Sequence, residues 1–311
     1  TNALKDLDKA IELAPEEAKW YAYRSIVYAL IKNKENQLND INFALDLDED
    51  YSYAYELRGD FYFNEKDYDN AIADYKKSIS IDSQSNNLKK QLAISYMKLE
   101  KYSQSLQILD EAVDVDSSYL YFYFNRILCN IFLGDTLKAF EDAESCISID
   151  SNSNIGYIMR GYLYRITNNN KKALNDLDHA VFLDTSSTLA YKFRASFYMH
   201  IKKYELAELD YKKVISISKN DVESYFYLSK IFKIQERYFK ALKYLNKTID
   251  ILIKGDEIIN SEDLSHEIGL VNLYINKGEL YELLDAKEEM CEDYQKACDL
   301  GDCEMLNKNC N

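Results

Sequence analysis

The sequence repeats itself every 34 residues, and this period constrains the fold more than any other feature of the chain. The stretch that begins at Tyr53 aligns without a gap to the stretch that begins at Ile155, three periods later. Self-similarity at such a period is typical of proteins that stack one supersecondary unit many times. The structure of one unit therefore determines the architecture of the chain.

The chain divides into 34-residue units when Gly59 and Gly161 are each taken as the eighth residue of a unit. This division predicts seven contiguous units over 18–255, an insertion at 256–270, and an eighth unit with a closing helix over 271–311. Residues 1–17 match the second half of a unit, and so we expect the natural protein to continue upstream. Ser261 followed by two acidic residues is a good helix start, and we expect a long first helix of the eighth unit to begin there.

Each unit has the pattern of a helical hairpin. A tyrosine stands fourth in seven of the eight units, an aromatic residue stands eleventh in seven, and an alanine stands twentieth in five. Large residues three to four apart form the apolar stripe of a helix, and small residues let two helices approach closely. The 311 residues include 8 Gly and 1 Pro, which disfavours folds that need frequent turns. The sequence predicts an all-α fold.

The unit resembles the tetratricopeptide repeat. The family signature is carried as Tyr55-x2-Arg58-Gly59-x2-Tyr62 followed by Ala71-x3-Tyr75. Tyrosine replaces the usual tryptophan, and serine or threonine replaces the usual helix-ending proline in four units. The resemblance implies a right-handed α-solenoid, a superhelix of tetratricopeptide hairpins.

Arginine at the seventh place varies together with aspartate at the twenty-third. Units with leucine at the seventh place have Ile108 or Tyr244 at the twenty-third, and the eighth unit keeps the charges as Lys277 and Asp293. This favours a structural ion pair within each hairpin, although an arginine ladder that binds a ligand remains an alternative. The predicted pairs are Arg24 with Asp40, Arg58 with Asp74, Arg126 with Asp142, Arg160 with Asp176, and Arg194 with Asp210.

Charge and motifs exclude several classes of function. The net charge is −15 and lysine and arginine form no cluster, which disfavours nucleic acid and anionic membranes as partners. No apolar run is long enough to span a membrane, so direct membrane insertion is not expected. The sequence lacks the common phosphate-binding, nucleophile and zinc-protease motifs, and its three histidines are scattered. We therefore expect no catalytic activity, no cofactor and no metal.

The family resemblance implies a binding groove. In tetratricopeptide repeats, the second, fifth, ninth and twelfth residues of a unit line the concave face. We expect an apolar and aromatic groove that binds a protein or peptide, unless these residues pack among themselves and the outer surface binds instead. The predicted groove residues are Tyr53, Tyr121, Phe124, Leu128, Ile155, Ile158, Tyr162, Lys192 and Phe226.

Four of the six cysteines lie in the last 21 residues. Across one turn between antiparallel helices, Cys298 faces Cys303 and Cys291 faces Cys310, which predicts two disulfides. Free thiols or a four-cysteine zinc site are the alternatives, and the spacing disfavours zinc. Disulfides indicate an exported protein, with the cytoplasm as the alternative. The ending also resembles the cysteine-containing closing repeat of bacterial exported repeat proteins, which implies the periplasm or cell envelope.

The sequence thus favours a protein–protein interaction scaffold without chemistry of its own. The alternative is a structural subunit of a larger cell-envelope complex, held through its edge and convex face.

Overall fold

The computed structural model describes residues 2–82, 85–254 and 268–310, and every regular element within them is a helix. The chain forms two compact bodies, Thr1–Leu163 and Tyr164–Asn311. The helices of the first body are α1 Asn2–Leu13, α2 Ala18–Leu30, α3 Lys34–Leu47, α4 Ser52–Asn64, α5 Tyr68–Ile81, α6 Asn86–Lys98, α7 Tyr102–Val115, α8 Leu120–Phe132, α9 Thr136–Ile149 and α10 Asn154–Ile166, whose last residues belong to the second body. The helices of the second body are α11 Asn170–Leu183, α12 Thr188–His200, α13 Tyr204–Ile217, α14 Val222–Ile234, α15 Tyr238–Lys254, α16 Leu270–Glu282, α17 Lys287–Asp299 and α18 Glu304–Asn309.

A three-residue turn joins the two helices of each hairpin from α2 to α15, and a four-residue turn joins α16 to α17. Between α2 and α3, Lys32 adopts a left-handed backbone (φ 58°), and the Asn33 N–H donates to the Tyr28 carbonyl at 2.9 Å. The Asn33 side chain then caps α3 by accepting from the Asn36 N–H. One short turn therefore satisfies backbone groups of both helices. The left-handed residue recurs at the fifteenth place of every unit: Lys32, Lys66, Glu100, Gly134, Asn168, Lys202, Glu236 and Asp285.

Aspartates close the turns between successive hairpins. Asp116 follows α7, and its carboxylate accepts from both the Ser118 hydroxyl at 2.7 Å and the Ser118 N–H at 3.0 Å. These two hydrogen bonds lower the pKa of Asp116. Asp48, Asp150 and Asp184 make the same backbone contact. Such aspartate turns order the connection that a proline would otherwise stiffen.

Small residues set the distance between the helices of a hairpin. Ala71, Ala139 and Ala207 at the twentieth place are fully buried. A Cβ atom added to Gly59 on α4 would lie 2.7 Å from the ring of Tyr75 on α5. That separation is shorter than any real carbon contact, so only glycine lets the tyrosine ring lie against α4.

The eighth unit differs from its prediction at its start. The first helix, α16, begins at Leu270 and has 13 residues, the same length as the other first helices. Gly269, the residue before it, has an extended backbone (ψ 146°), so the helix does not extend further toward the N-terminus. The expectation of a longer helix is therefore wrong. Ser261, and the predicted insertion up to residue 267, lie outside the described residues.

Candidate functional site

The side chains at the second, fifth, ninth and twelfth places of the first helices form what we call the first-helix face. In each body, one contact joins a fifth-place residue of this face to the second-place residue of the next unit. The Lys90 ammonium lies 5.3 Å from the centre of the Tyr121 ring. Lys192 Nζ lies 2.8 Å from Glu223 Oε2. A partner segment lying across two such neighbouring helices would therefore meet side chains of both.

The aromatic part of this face lies on α8. Tyr121 is 42% exposed, and its ring centre is 5.9 Å from that of the half-buried Phe124. Leu128, one turn further along, is also half-buried. Exposed aromatic side chains beside aliphatic ones can bury large apolar areas in a complex. This stretch can bind apolar side chains of a partner.

The remaining predicted groove residues divide into accessible and buried ones. Tyr53 is exposed, and Ile155, Tyr162 and Lys192 are half-buried. Ile158 and Phe226 have exposures of 0% and 2%, so the expectation that they line an accessible groove is wrong. Both stand at the fifth place, where Phe124 is only half-buried, so the surrounding residues decide whether a fifth-place side chain is covered. Phe226 belongs to the hydrophobic core of the second body.

Two carboxylates extend the face of the first body on α4. The Tyr75 hydroxyl donates to Asp60 Oδ1 at 2.7 Å. Burial raises the pKa of Asp60, against the lowering effect of this hydrogen bond. Burial, and then the charge of Asp60, raise the pKa of Glu56. The face therefore combines an acidic stretch on α4 with an aromatic stretch on α8, which suits a segment that carries both basic and apolar side chains.

The face of the second body consists largely of ion pairs between successive first helices. Besides its contact with Glu223, Lys192 lies 3.4 Å from Asp221. Lys233 Nζ on α14 donates to Glu279 Oε2 on α16 at 2.6 Å. These charges neutralise one another, so a partner would have to separate them to use them. The aromatic stretch of the first body is therefore the better candidate site.

The predicted arginine–aspartate pairs lie at hydrogen-bond distance in four units. Nε to Oδ2 distances are 2.7 Å for Arg24 and Asp40, 2.7 Å for Arg58 and Asp74, 2.9 Å for Arg126 and Asp142, and 2.8 Å for Arg194 and Asp210. Lys277 and Asp293 lie 3.1 Å apart in the eighth unit. Arg160 lies in the first body and Asp176 in the second, and their pairing remains a prediction. We propose that these pairs fix the register of the hairpins.

Each of these arginines also contacts a residue that the sequence reasoning missed. Arg126 Nη1 donates to Asp110 Oδ1 at 3.0 Å, and Asp110 belongs to the preceding unit. The partner always stands at the twenty-fifth place of that unit. A signal for it exists in the sequence, since lysine replaces the acceptor at Lys76 and Lys212, where the next unit has leucine in place of arginine. The full set is Arg24 with Asp8, Arg58 with Asn42, Arg126 with Asp110, Arg160 with Glu144, and Arg194 with Asp178.

The four terminal cysteines lie in two pairs at disulfide distance. The Cα atoms of Cys291 and Cys310 are 5.7 Å apart, and those of Cys298 and Cys303 are 4.0 Å apart. The pairs connect α17 to the closing helix α18. Cys129 and Cys146 are buried and free, and burial raises the pKa of Cys146 to about 12. A thiol with so high a pKa is a poor nucleophile at neutral pH.

The described part of the chain offers neither a metal cluster nor a membrane-spanning helix. Residues 2–82, 85–254 and 268–310 contain no group of three or more His, Cys, Asp or Glu side chains placed to hold a metal ion. Over those ranges, no helix combines the length and apolar character needed to cross a bilayer.

Comparison with known proteins identifies the repeat. The sequence profile described as "Tetratricopeptide repeat" matches residues 52–85, 190–221 and 271–300. The TPR repeat-containing protein MJ1428 of Methanocaldococcus jannaschii is 33% identical over 131 residues, which are 34% of this chain and 23% of that protein. This chain therefore matches less than a quarter of that relative's length.

Solved structures show the same fold at low sequence identity. YrrB, described as a TPR protein with an unusual peptide-binding site, is 24% identical with a TM-score of 0.51, covering 63% of this chain and 97% of its own. A tetratricopeptide repeat protein from Parabacteroides merdae is 18% identical with a TM-score of 0.53, covering 84% and 99%. PilW, described as a widely conserved type IV pilus biogenesis factor, is 19% identical with a TM-score of 0.55, covering 72% and 98%. The predicted all-α solenoid is confirmed, and the chain contains tetratricopeptide repeats at the three matched ranges.

Proposed function

We propose that this chain is a protein–protein interaction scaffold without catalytic activity, which binds a partner segment along its first-helix face. The exposed Tyr121 beside the half-buried Phe124 carries the proposal, because an exposed ring that a partner covers can bury a large apolar area. Glu56 and Asp60 on the same face add specificity for basic side chains, since charge complementarity mainly selects the partner. The favoured ligand is a protein segment with apolar residues and at least one lysine or arginine.

Paired variants test this proposal. Tyr121→Ser combined with Phe124→Ser removes the aromatic stretch, whereas Phe132→Ser removes an exposed ring at the end of α8 and serves as the control. Each variant is used as bait in native cells, and bound proteins are quantified by mass spectrometry. We expect partners to be lost with the double variant and kept with Phe132→Ser, with helix content unchanged by circular dichroism. Equal capture by the double variant and the wild type would refute the first-helix face as the binding surface.

A structural subunit of a larger cell-envelope complex is the alternative function. One observation favours it: the thirteenth place of the unit, at the end of the first helix, carries large exposed apolar residues. These are Leu30, Phe132, Ile166, Ile234 and Leu283, with exposures from 39% to 78%. Exposed apolar residues of this kind can be covered by neighbouring subunits. Under this alternative, Phe132→Ser and Leu30→Ser abolish copurification in fixed stoichiometry, while the Tyr121 and Phe124 variants do not.

We also propose that the chain is exported, to the periplasm or cell envelope of a bacterium, with the cytoplasm as the alternative. Support comes from the two cysteine pairs of the closing hairpin, because disulfides persist in oxidising compartments. Trapping thiols with N-ethylmaleimide in intact native cells tests this. We expect no label on Cys291, Cys298, Cys303 or Cys310 and a mass four hydrogens below that of the reduced chain. Label on all four cysteines would place the chain in a reducing compartment.

A further inference from the structure

One repeat unit lacks a ring that the others have. At the eleventh place, seven units carry an aromatic residue, and the fourth unit carries Asn130. Elsewhere this ring lies beside cations: the Lys172 ammonium is 5.2 Å from the Tyr164 ring and the Lys240 ammonium is 5.8 Å from the Phe232 ring. The aromatic residues are Tyr28, Tyr62, Tyr96, Tyr164, Tyr198, Phe232 and Tyr281.

A cavity of about 190 Å³ lies beside Asn130 in the first body. Polar residues of α7, α8 and α9 line it, namely Asp110, Arg126, Asn130, Lys138, Glu141 and Asp142. Lys138 stands at the nineteenth place of its unit, the same place as Lys172 and Lys240. The fourth unit has therefore kept the cation that accompanies the ring in two other units and has lost the ring.

Asn130 leaves one polar atom unsatisfied at this cavity. Its side chain is 2% exposed, and its Nδ2 donates to Asp142 Oδ2 at 3.3 Å. Because a carboxylate accepts and does not donate, the amide must present Nδ2 to Asp142, which directs Oδ1 away from it. No donor among the described residues reaches Oδ1. A buried acceptor without a partner is costly, so a ligand that donates to it gains from the contact.

The other lining groups limit what that ligand is. The Arg126 guanidinium is already engaged, with Nε bonded to Asp142 and Nη1 to Asp110. Lys138 Nζ lies 3.4 Å from Asp135 and Lys138 also lines the cavity, where its charge can attract the face of a ring. A cationic ligand would meet Arg126 and Lys138. An anionic ligand would meet the carboxylates of Asp110, Glu141 and Asp142, so the lining favours a neutral group. A neutral planar group can lie beside such cations, since the eleventh-place ring lies 5.9 Å from the Arg194 guanidinium in the sixth unit and 5.2 Å from the Lys172 ammonium in the fifth.

We propose that this cavity is a second binding site, outside the first-helix face, for an aromatic group that carries a hydrogen-bond donor, such as the tyrosine or tryptophan side chain of a partner protein. The ring takes the place of the missing eleventh-place ring beside Lys138. Its O–H or N–H donates to Asn130 Oδ1. The partner thereby completes the fourth unit.

The test uses p-cresol, which mimics a tyrosine side chain, and toluene, which lacks the donor. Both are titrated into the full chain, and the side-chain amide and α8 backbone resonances are followed by ¹H–¹⁵N NMR. We expect p-cresol to shift the Asn130 amide and to bind roughly three- to tenfold more tightly than toluene, as one hydrogen bond would give. Absence of p-cresol binding, which would mean that water alone fills the cavity, overturns the proposal.

Two variants separate the site from nonspecific binding. Asn130→Tyr supplies the ring of the other units and should abolish p-cresol binding while the chain remains folded. Asn130→Ala keeps the cavity but removes the acceptor, so the preference for p-cresol over toluene should disappear. Tighter binding of n-butylammonium than of p-cresol to the wild type would show a cation site and overturn the proposal. Unchanged p-cresol binding by Asn130→Tyr would do the same.

Discussion

Arg194 joins two successive hairpins through a contact with Asp178. Its Nη1 donates to Asp178 Oδ1 of the preceding unit at 2.9 Å, while its Nε and Nη2 both lie 2.8 Å from Asp210 of its own hairpin. The two carboxylates differ in burial, since the side chain of Asp178 is 50% exposed and that of Asp210 is 7% exposed. The same guanidinium therefore makes one surface contact and one buried contact.

This difference predicts unequal costs for removing the two carboxylates. Asp210→Ala leaves a poorly solvated guanidinium without its main partner and should lower the free energy of unfolding by about 3 kcal/mol. Asp178→Ala should cost about 0–1 kcal/mol, because water replaces an exposed partner. Urea titrations of the two variants measure both values. Equal losses would mean that the contact between hairpins contributes as much as the contact within one.

The chain itself contains an apolar replacement for the ion pair. Leu92 and Ile108 occupy the seventh and twenty-third places in the third unit. Arg58→Leu alone leaves the buried Asp74 unpaired and should cost about 3 kcal/mol. Arg58→Leu with Asp74→Ile recreates the apolar pair and should recover most of that loss. If the double variant were as unstable as Arg58→Leu alone, an apolar pair could not replace the ion pair in this hairpin.

Much of the fold follows from the sequence because one pattern occurs many times. The alanine at the twentieth place and the glycine at the eighth each imply close helix contact, and Ala71 and Gly59 make it. Covariation between the seventh and twenty-third places predicts the contact of Arg58 with Asp74 from the sequence alone, and the two side chains make it. The units of one chain can be compared with one another, and this comparison shows which positions vary together.

The candidate site follows from the sequence less completely. A place in the repeat gives the direction of a side chain, but its accessibility depends on the neighbouring unit. Phe124 and Phe226 occupy the same fifth place, yet the first is half-buried and the second lies in a core. The cavity beside Asn130 likewise depends on the residues of three helices. Such features arise from packing between units, which the pattern of one unit does not contain.

The left-handed turn residue offers a stabilising substitution. Lys202 has φ 59°, a conformation that costs a non-glycine residue about 1–2 kcal/mol. Lys202→Gly removes this strain but adds freedom to the unfolded chain, so we expect a net gain of about 0.5–1 kcal/mol. Lys202→Ala is the matched control, because it removes the charge and keeps the Cβ atom. A gain by the alanine variant equal to that of glycine would exclude backbone strain as the cause.

Asp60 should make stability depend on pH in a defined direction. Burial raises its pKa in the folded state, so its contribution is favourable below the unfolded pKa and is lost as pH rises through the folded value. Asp60→Asn does not titrate and still offers an oxygen to the Tyr75 hydroxyl. We expect the variant to be more stable than the wild type at pH 7.5, and the difference to shrink at pH 4. Urea titrations at both pH values measure it.

The exposed Asp114→Asn is the control for this experiment, because it removes one charge from the same body without changing a buried contact. Its effect should be small at both pH values. If Asp60→Asn gained no stability at pH 7.5, or gained more at pH 4, the ionised Asp60 would not be disfavoured by burial as described.

The two cysteine pairs should stabilise the closing hairpin to different extents. Cys291 and Cys310 enclose a loop with a sequence separation of 19, and Cys298 and Cys303 one of 5. A longer loop loses more unfolded-state entropy when it is closed. The chain-entropy relation gives about 3 kcal/mol for the first pair and about 2 kcal/mol for the second.

Cys291→Ser with Cys310→Ser should therefore destabilise α17 and α18 more than Cys298→Ser with Cys303→Ser. Hydrogen exchange of the α17 amides in the oxidised protein measures this difference, and a reducing agent serves as the control, because it should bring the wild type and both double variants to the same exchange rates. The opposite order of protection would show that local geometry, and not loop length, determines how each bond acts.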